Sequence, residues 1–192
     1  CTLENANCGS NSNGSILYAS NGSIINMNYC VVQNNKGVPI LLCNTGENKI
    51  VNTSFLKNEF TSTGNNASCI NVNNENANLV LDSCTFNNKT NSTYSGELSI
   101  YNAKTITIKN TTFETVDSGY NIYAYEAPEV VLDGSLSIPS IYFDNSYGDS
   151  SLGIVCGEDL TLEDLQIPIT ITAVSYEENY NENNIRGLNI YN

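Results

Sequence analysis

The chain repeats, and this constrains it more than any other feature. Five segments share one pattern: INMNYCVVQNN (25–35), KIVNTSFLKNE (49–59), LVLDSCTFNNK (79–89), ITIKNTTFETV (106–116) and LTLEDLQIPIT (160–170). Each reads apolar-x-apolar-x-small/polar-x-x-apolar, with Lys49 the exception in the second. VVLDGSLSIPS (130–140) keeps the first half, and CTLENANC (1–8) matches with Cys8 at the last apolar position. The second apolar residues are Leu3, Met27, Val51, Leu81, Ile108, Leu132 and Leu162, spaced 24, 24, 30, 27, 24 and 30 residues apart. A shorter strand motif precedes the later anchors: SILYAS (15–20), PILLCN (39–44), SCINVN (68–73), ELSIYN (97–102), YNIYAY (120–125) and SLGIVC (151–156). Its first core residue is Ile16, Ile40, Ile70, Leu98, Ile122 or Leu152, and the next anchor follows after 11, 11, 11, 10, 10 and 10 residues. The turn between the two strands therefore has near-constant length, and the variation falls in the other loop. GLNIYN (187–192) restarts the short motif.

Two strands with period 2, in coils of 24–30 residues and without helical periodicity, predict an all-β parallel β-helix of about six coils. One coil cannot bury its apolar face alone. Coils stacked about 4.8 Å apart can. A sandwich of regularly spaced hairpins is the alternative, but hairpins would not hold so steady a register. The reading is one domain over 1–192, and the mid-repeat start and stop predict further coils in a parent protein. Asn-rich turns fit this fold, because Asn tolerates left-handed backbone.

The form I-x-I-x-N-[SC]-x-F-x-N-N, closest in LDSCTFNN (81–88) and IKNTTFET (108–115), resembles the right-handed β-helix repeats of polymorphic outer-membrane and adhesin-like proteins. The resemblance implies a right-handed solenoid. The Asn- and Tyr-rich, His-free composition with NGSI (13–16 and 21–24) also resembles repeats of anaerobic-fungal cellulosome scaffoldins. That resemblance implies docking of enzyme-borne modules.

Composition narrows the chemistry. The chain carries 7 Lys+Arg, 20 Asp+Glu and no His, for a net charge of −13. Nucleic acid is excluded, because its binding needs a basic footprint. The lack of His removes Ser-His-Asp and Cys-His catalysis. No apolar run reaches the length of a membrane span. Seven sequons, at Asn13, Asn21, Asn52, Asn66, Asn88, Asn91 and Asn110, are glycosylation candidates and point to an extracellular or cell-surface location. Seven Cys leave at least one unpaired within the chain. Cys30 and Cys84 share a coil position, with Ser54 between them and Thr111 after, two coils apart and too far to bridge. Cys8 and Cys30, on adjacent coils, are the disulfide candidate.

The charge is lopsided. Residues 1–113 carry six acids and six lysines, whereas 114–192 carry fourteen acids and only Arg186. The longest inserts, 137–151 and 168–187, lie in that acidic half. They are rich in aromatics, with Tyr120, Tyr123 and Tyr125 just upstream. Function tends to sit on loops held by a rigid scaffold. Tyr142, Phe143, Asp144, Tyr147, Asp149, Tyr176, Glu177, Glu178 and Tyr180 are therefore the candidate partner-binding residues. The expected partner is a protein with a basic surface, such as an enzyme-borne docking module, with glycan as the other ligand class. No cofactor is implied. Asp144, Ser146 and Asp149 around Gly148 are a weak calcium candidate, lacking the bidentate Glu of a full calcium loop.

Pectate lyase-like and glycosidase β-helices are the enzymatic alternative, and a structural stalk is the other. Lyases of this type are implied to need an Asp cluster with catalytic Arg or Lys; Lys104 and Lys109 have no such companions. Glu158/Asp159, Glu163/Asp164 and Glu177/Glu178 are sequence neighbours, which on a strand point to opposite faces, whereas hydrolysis needs two carboxylates facing one sugar. Asp82, Lys109, Asp133 and Glu163 share one outward slot in successive coils. The chain is read as a non-catalytic binding module.

Overall fold

The structure, a computed structural model, describes residues 1–7, 16–60, 68–90, 96–125, 129–144, 152–160, 167, 169–172 and 188–191. The chain is a parallel β-helix of three sheets. Sheet A holds five strands in the order β1 (Thr2–Glu4), β4 (Val31–Gln33), β7 (Ser54–Phe60), β10 (Thr85–Thr90) and β13 (Thr112–Phe113). Sheet B holds seven: β2 (Leu17–Asn21), β5 (Ile40–Asn44), β8 (Ile70–Asn73), β11 (Gly96–Asn102), β14 (Tyr120–Ala124), β16 (Ile141–Asp144) and β18 (Ile169–Thr172). Sheet C holds seven more: β3 (Asn26–Asn28), β6 (Glu47–Val51), β9 (Asn78–Asp82), β12 (Thr105–Lys109), β15 (Glu129–Asp133), β17 (Leu152–Cys156) and β19 (Leu188–Tyr191). From β2 to β15 the chain visits B, C and A in turn, the described strands β16 to β19 then alternate between B and C, and every pairing is parallel to the equivalent strand one coil away.

The core follows from the period of 2. Inward residues of sheet B form the columns Leu17–Ile40–Ile70–Leu98–Ile122–Ile141 and Ala19–Leu42–Val72–Ile100–Ala124–Phe143. Sheet C contributes Met27–Ile50–Leu81–Ile108–Leu132–Cys156. Sheet A contributes Leu3–Val32–Phe55–Phe86–Phe113. Strand spacing forces like residues into contact. Phe55, Phe86 and Phe113 accordingly stack with centroids 4.6 and 4.4 Å apart and planes within 9°.

Single left-handed residues make the corners. Tyr29, Asn52, Ser83, Asn110 and Gly134 all have positive φ and all fall two residues after the last inward residue of sheet C. Each bends the chain into sheet A without a gap in the repeat. Asn5, Asn34 and Lys57 also have positive φ, two residues after the sheet A residues Leu3, Val32 and Phe55. At Gly134 a Cβ would collide with Oδ1 of Asn110, the corner residue of the coil before. That oxygen accepts from Ser135 N at 3.2 Å. Gly134→Ala should therefore cost more, by chemical denaturation, than the ~1–3 kcal/mol that a left-handed non-glycine backbone alone requires. Ser83→Ala, at the same corner without that collision, is the control.

The structure corrects the register in several places. Ile50, not Val51, is the inward anchor, and Leu17, not Ile16, is the first core residue. Leu3 belongs to the sheet A column, one sheet away from Met27. The LGIVC part of SLGIVC (152–156) forms β17 in sheet C, and sheet B is continued by IYFD of β16. The core-to-core distance from sheet B to sheet C is 10 or 11 residues in the first five coils but 15 from Ile141 to Cys156, so length variation also falls on this side. Leu162 lies outside the described residues.

Cys30 aligns with Thr53, Cys84 and Thr111, one residue from the expected column through Ser54, because Ser54 itself pairs with Val31. Each of these side chains donates to the carbonyl two residues back: Cys30 to Asn28 at 3.5 Å, Thr53 to Val51 at 2.9 Å, Cys84 to Asp82 at 3.4 Å and Thr111 to Lys109 at 2.7 Å. Cys30 carries a free thiol. Its side chain is committed to this inward column, and Cys8 lies outside the described residues.

Candidate binding surface

Sheet B is buried on both faces across its middle. Its outward column reads Tyr18, Leu41, Asn71, Ser99, Tyr123 and Tyr142. Tyr18 is 54% exposed, but Leu41 through Tyr123 are all buried. Toward the acidic half this face turns aromatic. Tyr142 stacks on Tyr120 and Tyr123 with centroids 4.6 and 5.3 Å away. One coil earlier, Tyr101 of β11 stacks on Tyr125, the residue that follows β14, at 4.7 Å. The coil repeat puts tyrosines at equivalent positions about 4.8 Å apart, which is ring-stacking distance. Tyr101, Tyr120, Tyr125 and Tyr142 are half-buried.

The outer face of sheet C carries the charge. Asp82, Lys109 and Asp133 stand in register on successive coils, as the shared slot predicts. Lys109 Nζ bonds Asp133 Oδ2 at 2.7 Å and Asp159 Oδ2 at 3.3 Å. The bond to Asp133 holds the ammonium above its ordinary range and the carboxyl below its own. The slot after Asp133 falls to Gly157, not Glu163, because Cys156 pairs with Leu132. A Cβ on Gly157 would meet the Asp133 carboxyl carbon at 2.5 Å. With no side chain there, Asp133 also accepts from Asp159 N at 2.8 Å. Glu158 and Asp159 are exposed, and Asp159 is tied to Lys109 across a coil.

A buried polar ladder runs inside, where sheets A and B meet. Asn35 Nδ2 donates to Asn58 Oδ1 at 2.9 Å, and Asn58 Nδ2 donates to Asn88 Oδ1 at 2.8 Å. Asn88 donates from N and Nδ2 to Glu97 Oε1 at 3.2 and 3.1 Å. Asn121 Nδ2 donates to Glu97 Oε2 at 3.0 Å, and Ser140 N donates to Asn121 Oδ1 at 3.1 Å. Glu97 is fully buried. Burial pushes its carboxyl up to about 7 against the pull of the three donors. At the opposite corner Asn44 and Asn48 exchange reciprocal side-chain bonds of 3.0 Å. Sequence reasoning missed both features, because Asn at these positions looks like ordinary turn composition.

The expected site residues are only partly brought together. Tyr142 joins the tyrosine stack. Phe143 does not belong to a surface: it is fully buried at the end of an inward sheet B column, because it alternates with Tyr142 along β16. Asp144 ends β16, pairing with Thr172. Tyr147, Asp149, Tyr176, Glu177, Glu178 and Tyr180 lie outside the described residues, as does Ser146 of the calcium candidate. Among the described residues, no group of three His, Cys, Asp or Glu side chains is placed to hold a metal ion. Of the sequons, Asn21 and Asn110 are exposed and Asn52 is half-buried. Asn88 is 8% exposed with its amide bonded to Glu97, so it does not fit as a glycan acceptor. Asn13, Asn66 and Asn91 lie outside the described residues. No helix of the described residues is long and apolar enough to cross a membrane.

No protein-family model matches the chain, and no curated protein or solved structure does either.

Proposed function

We propose that the chain is a non-catalytic, extracellular protein-binding module of a larger repeat protein, of scaffold or adhesin type. Its partner is a protein with a basic surface, received on the tyrosine-rich, acidic half. The observation that carries this reading is the pair of tyrosine stacks, Tyr101–Tyr125 and Tyr120–Tyr142–Tyr123, on consecutive coils of one rigid face. Tyrosine supplies contact area at small entropic cost, and Arg-rich partners pair well with it. Fourteen acids against one Arg after residue 113 supply long-range steering toward a cationic partner. The exposed sequon at Asn21 suits an extracellular setting.

The test is capture by the immobilised chain from culture supernatant of its source organism, beside a Tyr101→Ser/Tyr125→Ser/Tyr142→Ser variant. A single basic protein is expected, with retention reduced at least ~10-fold by the variant, as loss of interface tyrosines implies. Retention should also fall as salt rises. Equal capture by both chains, or no protein captured, would leave the stalk reading. Sugar release from cell-wall polysaccharide would replace the proposal with an enzymatic one.

A further inference from the structure

The first two coils place two thiols side by side. Thr2 pairs with Val31 in sheet A, and Val31 N donates to the Cys1 carbonyl at 2.8 Å. Cys1 is thus in register with Cys30 on the next coil and shares the Cys30–Thr53–Cys84–Thr111 column. Neighbouring parallel strands put such Cα atoms about 4.8 Å apart, inside the range a disulfide spans. Cys30 and Cys84, two coils apart, are about twice that distance and outside it. Cys1 and Cys30 are both free and line one open cavity of about 460 Å³, with Leu3, Leu17, Ile24 and Met27. Cys1 is exposed, whereas Cys30 is buried beneath it.

We propose that Cys1 and Cys30 form a redox-active pair that closes to a disulfide across the first two coils. The reactant class is a small-molecule disulfide such as oxidised glutathione. The exposed Cys1 thiolate attacks it, forming a mixed disulfide and releasing one glutathione thiol. Cys30 then attacks the Cys1 sulfur, and the second glutathione leaves as a thiol. Two protein S–H bonds are lost, one S–S bond forms, and the small disulfide is reduced to two thiols. Selectivity comes from the surroundings of the other described thiols. Burial raises the Cys84 thiol to about 11, the Cys69 thiol well above its ordinary value, and those of Cys43 and Cys156 in the same direction. Little thiolate is present at these sites at neutral pH.

The test uses the full chain, incubated with oxidised glutathione, blocked with an alkylating agent and cleaved after glutamate. Cleavage after Glu4 and Glu47 separates Cys1 from a 5–47 peptide that carries Cys8, Cys30 and Cys43. Before reduction the two peptides should be found joined, and fragmentation should place the link at Cys30. The link should persist in Cys8→Ser and be lost in Cys30→Ser. A link at Cys8 or Cys43 would overturn the proposal, as would Cys1 recovered only alkylated or as a glutathione adduct. Fragmentation of the unmutated chain decides the question even where Cys30→Ser fails to fold.

Discussion

Replacing Phe86 by Ala should cost ~3–5 kcal/mol, the range for emptying a buried aromatic site. Phe86 is fully buried and stacked on both faces, by Phe55 on one coil and Phe113 on the next. Relaxation could close such a cavity only if neighbouring coils moved together, and the backbone ladder of sheet A holds them at fixed spacing. Removing the middle ring also deletes both aromatic contacts, each worth ~0.5–1.5 kcal/mol beyond area burial. In a solenoid each coil touches only its neighbours, so this loss falls on the couplings that keep the array cooperative. Urea denaturation should show a lower midpoint. A shallower slope would mark the two halves beginning to unfold separately. Phe86→Leu, which refills most of the volume, should lose less than half as much. A Phe86→Ala chain within ~1 kcal/mol of the unmutated one would mean that the stack contributes no more than any surface contact.

The period was legible in the sequence because inward positions are apolar and alternate with polar ones. It failed by one residue where an inward position is itself polar. Asn48 occupies an inward slot opposite Leu79 and satisfies its amide through Asn44. Aligned by hydropathy, KIV then slides so that Val51 replaces Ile50, and a one-residue slip exchanges the faces of a strand. The third sheet was hidden for a different reason. Its corner costs only one left-handed residue, so LDSCTF reads as one continuous motif although Leu81 and Phe86 lie on different sheets. Nothing in composition separates Ser83 at such a corner from Ser99 in a strand. The exchange of SLGIVC for IYFD between sheets B and C came from the 15-residue step after Ile141, where a constant turn length no longer held.

The candidate surface was less legible than the fold. The acidic bias and the wealth of Tyr are one-dimensional facts. Which tyrosines share a face depends on register: Tyr123 and Tyr142 are nineteen residues apart and stacked, whereas adjacent Phe143 faces the core. Glu97 shows the same limit more sharply. In the sequence it is one of six balanced acids, and only the fold removes it from water.

That burial gives the second large effect, a stability that falls as pH rises. Three donors from Asn88 and Asn121 reach Glu97, and the fully buried Cys69 thiol and the exposed Glu114 are its titratable neighbours. Among the described residues no Lys or Arg forms an ion pair with it. Its folded value of about 7 lies above the ordinary 4.5, so between these values the folded chain holds more proton than the unfolded one. Stability from this group is full below the ordinary value and is lost as pH climbs through the folded one, by ~3 kcal/mol. Asp133 acts with the opposite sign: its carboxyl is lowered by Lys109, so its contribution is lost on acidification. A difference between chains isolates Glu97. Glu97→Gln keeps an acceptor for Asn88 but sets an amide donor against Asn121 Nδ2, a penalty of ~1–3 kcal/mol at every pH. The variant should therefore be the weaker chain near pH 4.5 and should not lose stability across the window that weakens the parent. Above pH 7.5 the two denaturation midpoints should converge or cross. Parallel midpoint curves from acid to neutral pH would mean that Glu97 titrates as an ordinary carboxyl and that the asparagine ladder fully compensates its burial.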